Sequence, residues 1–322
     1  MPNLLAHSLL AKRFALKENE LNKEFHFDNS FLKGNYDYFL WGAQGPDALF
    51  YVGIVPTHGL HIPTALKKIG NKLHKLDGRE FFKELINKCY QIEAVDNIDK
   101  DQKAFMAFTF GQFAHYLLDR EAHPYILYES GFDSDGRITG HYHYDHAFFE
   151  ANIDACLAKK YNMIDFLNDP SSLIPFNQKS LDMLDHHLVP VLSKMFDTRL
   201  PKRCYSNAIN NMKSCIHFIN KGTRLRIYLT FKSSLSAQRL PKEEDISVLN
   251  EERREWLDPV TGKKRHESFL ELSNRAFDLL QDCYLDILKY GFNYETFEKY
   301  FNNLNYYGTP IGEKWVYHKK QK

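Results

Sequence analysis

Five of the fifteen histidines, His115, His123, His141, His143 and His146, fall within 32 consecutive positions, interleaved with carboxylates. In AHYLLDREAHPY, His115, Asp119 and His123 are spaced by four. At roughly 100° per residue, four steps advance a helix by only about 40°, so one face carries all three. The residues around them are apolar, and a helix that buries those residues buries the imidazoles and the carboxylate too. An unpaired buried carboxylate costs several kcal/mol, so Asp119 there requires a cation, either a basic side chain or a metal ion. The plainer alternative is an exposed Asp119 paired with Arg120 beside two core histidines. Pro124 disfavours the helical conformation at His123 and removes an amide donor, which predicts that the helix ends or bends there.

A second constellation, HYHYDHAFFEANID, repeats the spacing in His146, Glu150 and Asp154. An imidazole and a carboxylate one turn apart let a single helix grip one ion. Asp154 suits either a role behind a ligand, accepting its other ring N–H, or an exposed position. His141 and His143 precede this helix and are ligands or solvent-facing loop residues. In GAQGPDALFY a Gly- and Pro-rich turn delivers Asp47 ahead of an aromatic run, as a rigidly held carboxylate or as a helix N-cap. His7 lies in an apolar N-terminal segment, and His74 in IGNKLHKLDGREFF.

The elements that must position these residues read as helices. Segments with helical periodicity cover about 62–76, 79–93, 102–118, 144–157, 180–195, 204–219 and 266–290, with almost no strand signal. Breakers at 42–47, 55–59, 131–136, 168–172 and 258–262 separate them. Ten or so helices joined by short to medium loops predict an all-α, bundle-like fold. The chain has 322 residues, 43% apolar, 15% aromatic and 26% charged, with net charge +1. That composition excludes disordered, collagenous and coiled-coil classes and argues against a general polyanion binder. We read residues 1–322 as one domain, with 240–322 a C-terminal helical extension packed on it and the charged stretch Arg239 to Arg254 a solvated connection. The five scattered cysteines form no CxxC pair and are expected to be reduced core thiols, leaving any metal to histidines and carboxylates. No secretory signal and no apolar run of about 20 residues is evident, so a cytoplasmic protein without a membrane span is expected.

Taken in order, PNLLAHSLL, WGAQGPDALFY, IGNKLHKLDGREFF, FAHYLLDREAHPY and HAFFEANID resemble the zinc-dependent phospholipase C family. LNEERREWLDPVTGKKRHESFLELSNRA resembles the C-terminal region of a bacterial branch of that family. The wider fold, shared with secreted phospholipases C and fungal single-strand nucleases, is a single all-α domain with a trinuclear zinc cleft. The resemblance implies a first zinc held by Asp47, His74, His115 and Asp119, with His61 and His58 as alternatives to His74. It implies a second zinc on His123, His146 and Glu150, and a third on His7 with Asp119 as a bridge. The secreted enzymes complete the third site with an N-terminal Trp that this chain lacks; loss of Met1 would offer the Pro2 amine instead.

The resemblance thus implies two or three zinc ions and a phosphoric-diester hydrolase, phospholipase C-like, in which water activated by metal attacks in line. Asp119 would bridge, and Asp47 would orient or deprotonate the nucleophile. Tyr51, Tyr116, Tyr125 and Tyr142 either line a lipid cleft or belong to the core. The expected partner is a phospholipid or other phosphodiester. Two rival readings stand beside this one: a single-strand nuclease of the same fold, in which the partner is nucleic acid, and a metal-stabilised helical protein without catalysis.

Overall fold

The computed structural model describes residues 4–25, 30–51, 64–92, 98–163, 165, 169, 173–175, 177–220 and 246–319. The chain is all-α. Its helices are α1 (Leu4–Glu24), α2 (Tyr36–Ala43), a 3₁₀ helix (Gly45–Tyr51), α3 (Thr64–Lys75), α4 (Gly78–Gln91), α5 (Ile98–Ser130) and α6 (Tyr142–Lys160). They continue with α7 (Gln178–Met195), α8 (Cys204–Asn220), a 3₁₀ turn (Ile246–Leu249), α9 (Phe269–Tyr290) and α10 (Tyr294–Glu298). A two-residue antiparallel pair, β1 (Trp256–Leu257) and β2 (Lys264–Arg265), is the one sheet among the described residues.

The 33-residue helix α5 is the axis of the molecule. Its Phe105, Phe108, Phe110, Phe113 and Leu117 are fully buried, and α1, α2, α4, α6 and α9 all pack against it. Phe14 of α1 draws these layers together, its ring 5.9 Å from Phe39 of α2, 5.4 Å from Phe110 of α5 and 5.4 Å from Tyr284 of α9. Burying aromatic area on every side explains how α5 stays helical beyond any local preference.

Two expectations need correction. The helix does not end at His123 but runs through Pro124 to Ser130. An interior proline costs about 3 kcal/mol, a penalty that packing on several flanks offsets. The charged stretch is not wholly a solvated connection: its first residues lie outside the described ones, but Val248 and Leu249 are buried, and Tyr125 donates to the Val248 carbonyl at 2.9 Å. Tyr51, Tyr116 and Tyr125 are buried core residues, and Tyr142 is half-buried. All five cysteines are buried thiols outside any disulfide. Among the described residues, no helix is long and apolar enough to cross a membrane.

Candidate metal centre

α5 presents His115, Asp119 and His123 on one face, as their spacing requires. Asp47 arrives opposite from the 3₁₀ helix that follows α2. The turn between them depends on Gly45, whose φ of +59° suits glycine and whose missing Cβ leaves room for the His115 imidazole. His115 Nδ1 in turn donates to the Ala43 carbonyl at 3.1 Å, so the turn and the helix fix each other. His74 comes from the last turn of α3, His146 and Glu150 from α6, and His7 from α1.

These eight residues meet in three groups, the first two sharing His115: His7, His115 and Asp119; Asp47, His74 and His115; and His123, His146 and Glu150. Asp119 divides its oxygens, with Oδ1 3.2 Å from His7 Nε2 and Oδ2 3.0 Å from His115 Nε2. Asp47 Oδ1 lies 3.0 Å from His74 Nε2, and its Oδ2 lies 3.6 Å from His115 Nε2. Glu150 Oε1 is 3.2 Å from His146 Nε2 and 3.7 Å from His123 Nε2. Every member is at most 5% exposed, so water does little to screen the carboxylates.

The outward ring nitrogens of His74, His115, His123 and His146 are engaged. His74 Nδ1 bonds the Gly70 carbonyl at 2.7 Å and His123 Nδ1 the Asp119 carbonyl at 3.0 Å, while His146 Nδ1 meets Ser130 Oγ at 3.2 Å. A ring that donates through Nδ1 keeps its lone pair on Nε2. His74 and His115 therefore aim lone pairs at carboxylate oxygens, which is repulsive unless the ring takes a second proton or a cation lies between. Asp47 Oδ2, Asp119 Oδ2 and His115 Nε2 are buried without a hydrogen-bond partner among the described residues. This donor set suits a metal ion, because nitrogen and oxygen ligands converge with their bonding electrons free.

Without an ion the protons redistribute. Burial opposes charge on His115, but Asp119 and Asp47 outweigh it and lift its pKa to about 9. Burial likewise opposes ionisation of Asp119, yet His115 and His123 hold its carboxyl well below the usual range. Burial and the neighbouring His115 lower the pKa of His7, and burial lowers that of His123.

The alternative pairing of Asp119 with Arg120 does not occur. Asp119 is buried, and Arg120 turns away to Glu121 and the Tyr300 carbonyl. Asp154 neither backs a ligand ring nor lies exposed: it is buried and accepts the amides of Leu5 and Ala6, at 2.9 and 3.0 Å. His141 and His143 are exposed and outside the three groups. His58, His61 and Pro2 lie outside the described residues. Sequence reasoning missed Ser130 and two tyrosines from the far end of the chain. Tyr306 stands 5.2 Å from the His74 ring and 6.0 Å from the His115 ring, and Tyr307 5.1 Å from the His123 ring. No spacing signal links them to ligands 180 or more positions away.

Fold and site together define a helical protein built around buried clusters of imidazole and carboxylate able to hold metal ions. A family model described as zinc dependent phospholipase C matches residues 1–212, a span that contains all eight cluster residues. The chain belongs to the zinc-dependent phospholipase C family, a family of zinc-dependent hydrolases. No curated protein and no solved structure matches the chain.

Proposed function

We propose that this protein is a zinc-dependent phosphoric-diester hydrolase of the phospholipase C type, releasing a phosphorylated headgroup from a phospholipid. The observation that carries the reading is the convergence of Asp47 Oδ2, Asp119 Oδ2 and His115 Nε2, buried and without hydrogen-bond partners among the described residues. Asp47, His74, His115 and Asp119 would hold one ion; His123, His146 and Glu150 a second; and His7, with Asp119 shared, a third. Bound zinc supplies Lewis acidity, bringing the pKa of water toward about 7 and offsetting phosphate charge. Asp119, directing one oxygen to each of two imidazoles, sets the separation of the first and third positions. Asp47 is held rigidly enough to orient the attacking water and to accept its proton at the oxygen not committed to His74. The low exposure of the cluster would leave the positive charge of bound zinc poorly screened, strengthening its attraction for a phosphate.

Metal analysis of protein purified without a polyhistidine tag, alongside hydrolysis of phosphatidylcholine vesicles, tests this. Two or three zinc ions per chain and zinc-dependent release of phosphocholine are expected. Fewer than two ions, with stability indifferent to chelation, would overturn the metal centre. Cleavage of single-stranded DNA without lipid turnover would replace the lipid substrate with nucleic acid. Full metal occupancy with neither activity would leave the ions a structural role.

A further inference from the structure

The ligand-bearing helix uses its neighbouring face to hold a second component of the site. Tyr116, Arg120 and Pro124 each follow a cluster residue by one position, about 100° further round α5. The Tyr116 hydroxyl donates to the carbonyls of Phe301 and Leu304, at 3.1 and 2.8 Å, and Arg120 donates to the carbonyl of Tyr300. Pro124 has no amide to give the Arg120 carbonyl, and Gly308 packs against that carbonyl and the proline ring. Its φ of +65° and the absence of a Cβ make this approach possible. The loop is braced internally, with Asn305 Oδ1 accepting the amides of Tyr307 and Thr309 at 2.9 and 3.1 Å. Three successive ligand positions thus have three successive anchors for one C-terminal loop.

That loop returns over the ligand face. Tyr306 packs against His74 and His115, and Tyr307 against His123, so one dipeptide touches rings from separate ligand groups. Tyr306 is fully buried, edge-on to Tyr116 at 5.1 Å, yet its hydroxyl has no hydrogen-bond partner among the described residues. Leaving such a hydroxyl unpaired is destabilising, whereas phenylalanine would fill the same space without that cost. A phenol hydroxyl is an O–H donor at neutral pH. The Tyr306 hydroxyl is available to donate to a ligand bound at the cluster.

We infer that Tyr306 is a substrate-binding residue of the metal centre, its hydroxyl donating a hydrogen bond to a nonbridging oxygen of the bound phosphate group. Tyr307 forms the wall beside it. This rests on the phosphodiester reading of the site. It also assigns the C-terminal segment, beyond the 1–212 family match, a direct part in recognition.

The test compares the zinc-loaded full chain with Tyr306→Phe in three measurements: zinc content, calorimetric binding of inorganic phosphate, and hydrolysis of a soluble phosphocholine ester. The variant should bind phosphate about tenfold more weakly and lose a comparable factor in kcat/KM, with zinc content unchanged and thermal stability equal to or above that of wild type. Phosphate affinity within twofold of wild type, no phosphate binding by wild type, or weakening matched by lost zinc would each overturn the inference. A fall in thermal stability would do the same, since it would show the hydroxyl bonding protein. Wild type that hydrolyses no phosphodiester, yet loses phosphate affinity on Tyr306→Phe, would sink the hydrolase reading and keep Tyr306 as an oxyanion donor.

Discussion

Asp154 on α6 accepts the amide of Leu5 at 2.9 Å, across 149 positions of sequence, and its other oxygen takes the amide of Ala6. The first turn of a helix has amides without intrahelical partners, and this buried carboxylate satisfies two of them. His7 stands directly after that turn, while Glu150 lies one turn before Asp154 on α6. The carboxylate therefore couples the helix carrying one cluster residue to the helix carrying two others. Asp154→Ala should lower unfolding stability by about 2 kcal/mol and reduce zinc by no more than one ion per chain. Urea titration and metal analysis check both, and unchanged stability would count against the clamp.

Asp119 lies against imidazoles of two of the three groups, 3.2 Å from His7, 3.0 Å from His115 and 3.8 Å from His74. Asp119→Asn keeps the volume and removes the charge. It is expected to abolish phosphodiester hydrolysis, by at least about a hundredfold, and to cost one or more ions. Retention of both activity and metal in that variant would show that Asp119 is not a bridging ligand.

Gly45 separates Asp47 from His115 by what it lacks. A methyl group at this position would enter the space of the His115 ring, and φ of +59° strains any substituted residue. Gly45→Ala should destabilise the protein by about 2 kcal/mol or more and weaken zinc binding. If the variant binds zinc as wild type does and melts at the same temperature, the turn does not set the Asp47 to His115 geometry.

Away from the centre, His187 gives a pH signature. Burial lowers its pKa to about 4, with His186 and Lys88 adding to the shift, against an ordinary value of 6.5. Its ring packs edge-on to Phe105. Between pH 6.5 and 4 the unfolded chain binds the proton and the folded chain resists it. Stability should therefore fall on acidification through that window, by about 1–2 kcal/mol after allowance for solvent screening. His187→Leu should remove this component, as chemical denaturation at pH 7, 6, 5 and 4 would reveal. An undiminished slope in the variant would assign the acid sensitivity elsewhere.

Helix periodicity is a local property, and what depended on it was legible in the sequence. The shared face of His115, Asp119 and His123, the His146/Glu150 pair, the glycine turn that delivers Asp47 and the all-α class all follow from spacings of a few residues. The helix segments around α3 to α9 were legible for the same reason, to within a turn or so at their ends, except that α5 runs on from the periodic stretch 102–118 to Ser130. Tertiary packing alone decided the rest. It carried α5 past Pro124, turned Arg120 away from Asp119 and closed Asp154 on the start of α1. It also brought Tyr306 and Tyr307 from the far end of the chain onto the ligand face. Those outcomes depend on which distant surfaces bury one another, and the free energy of burial depends on area and fit rather than separation along the chain. The residue types told which side chains could bind a cation. The packed structure determined where their lone pairs meet, and left one tyrosine hydroxyl beside them without a partner among the described residues.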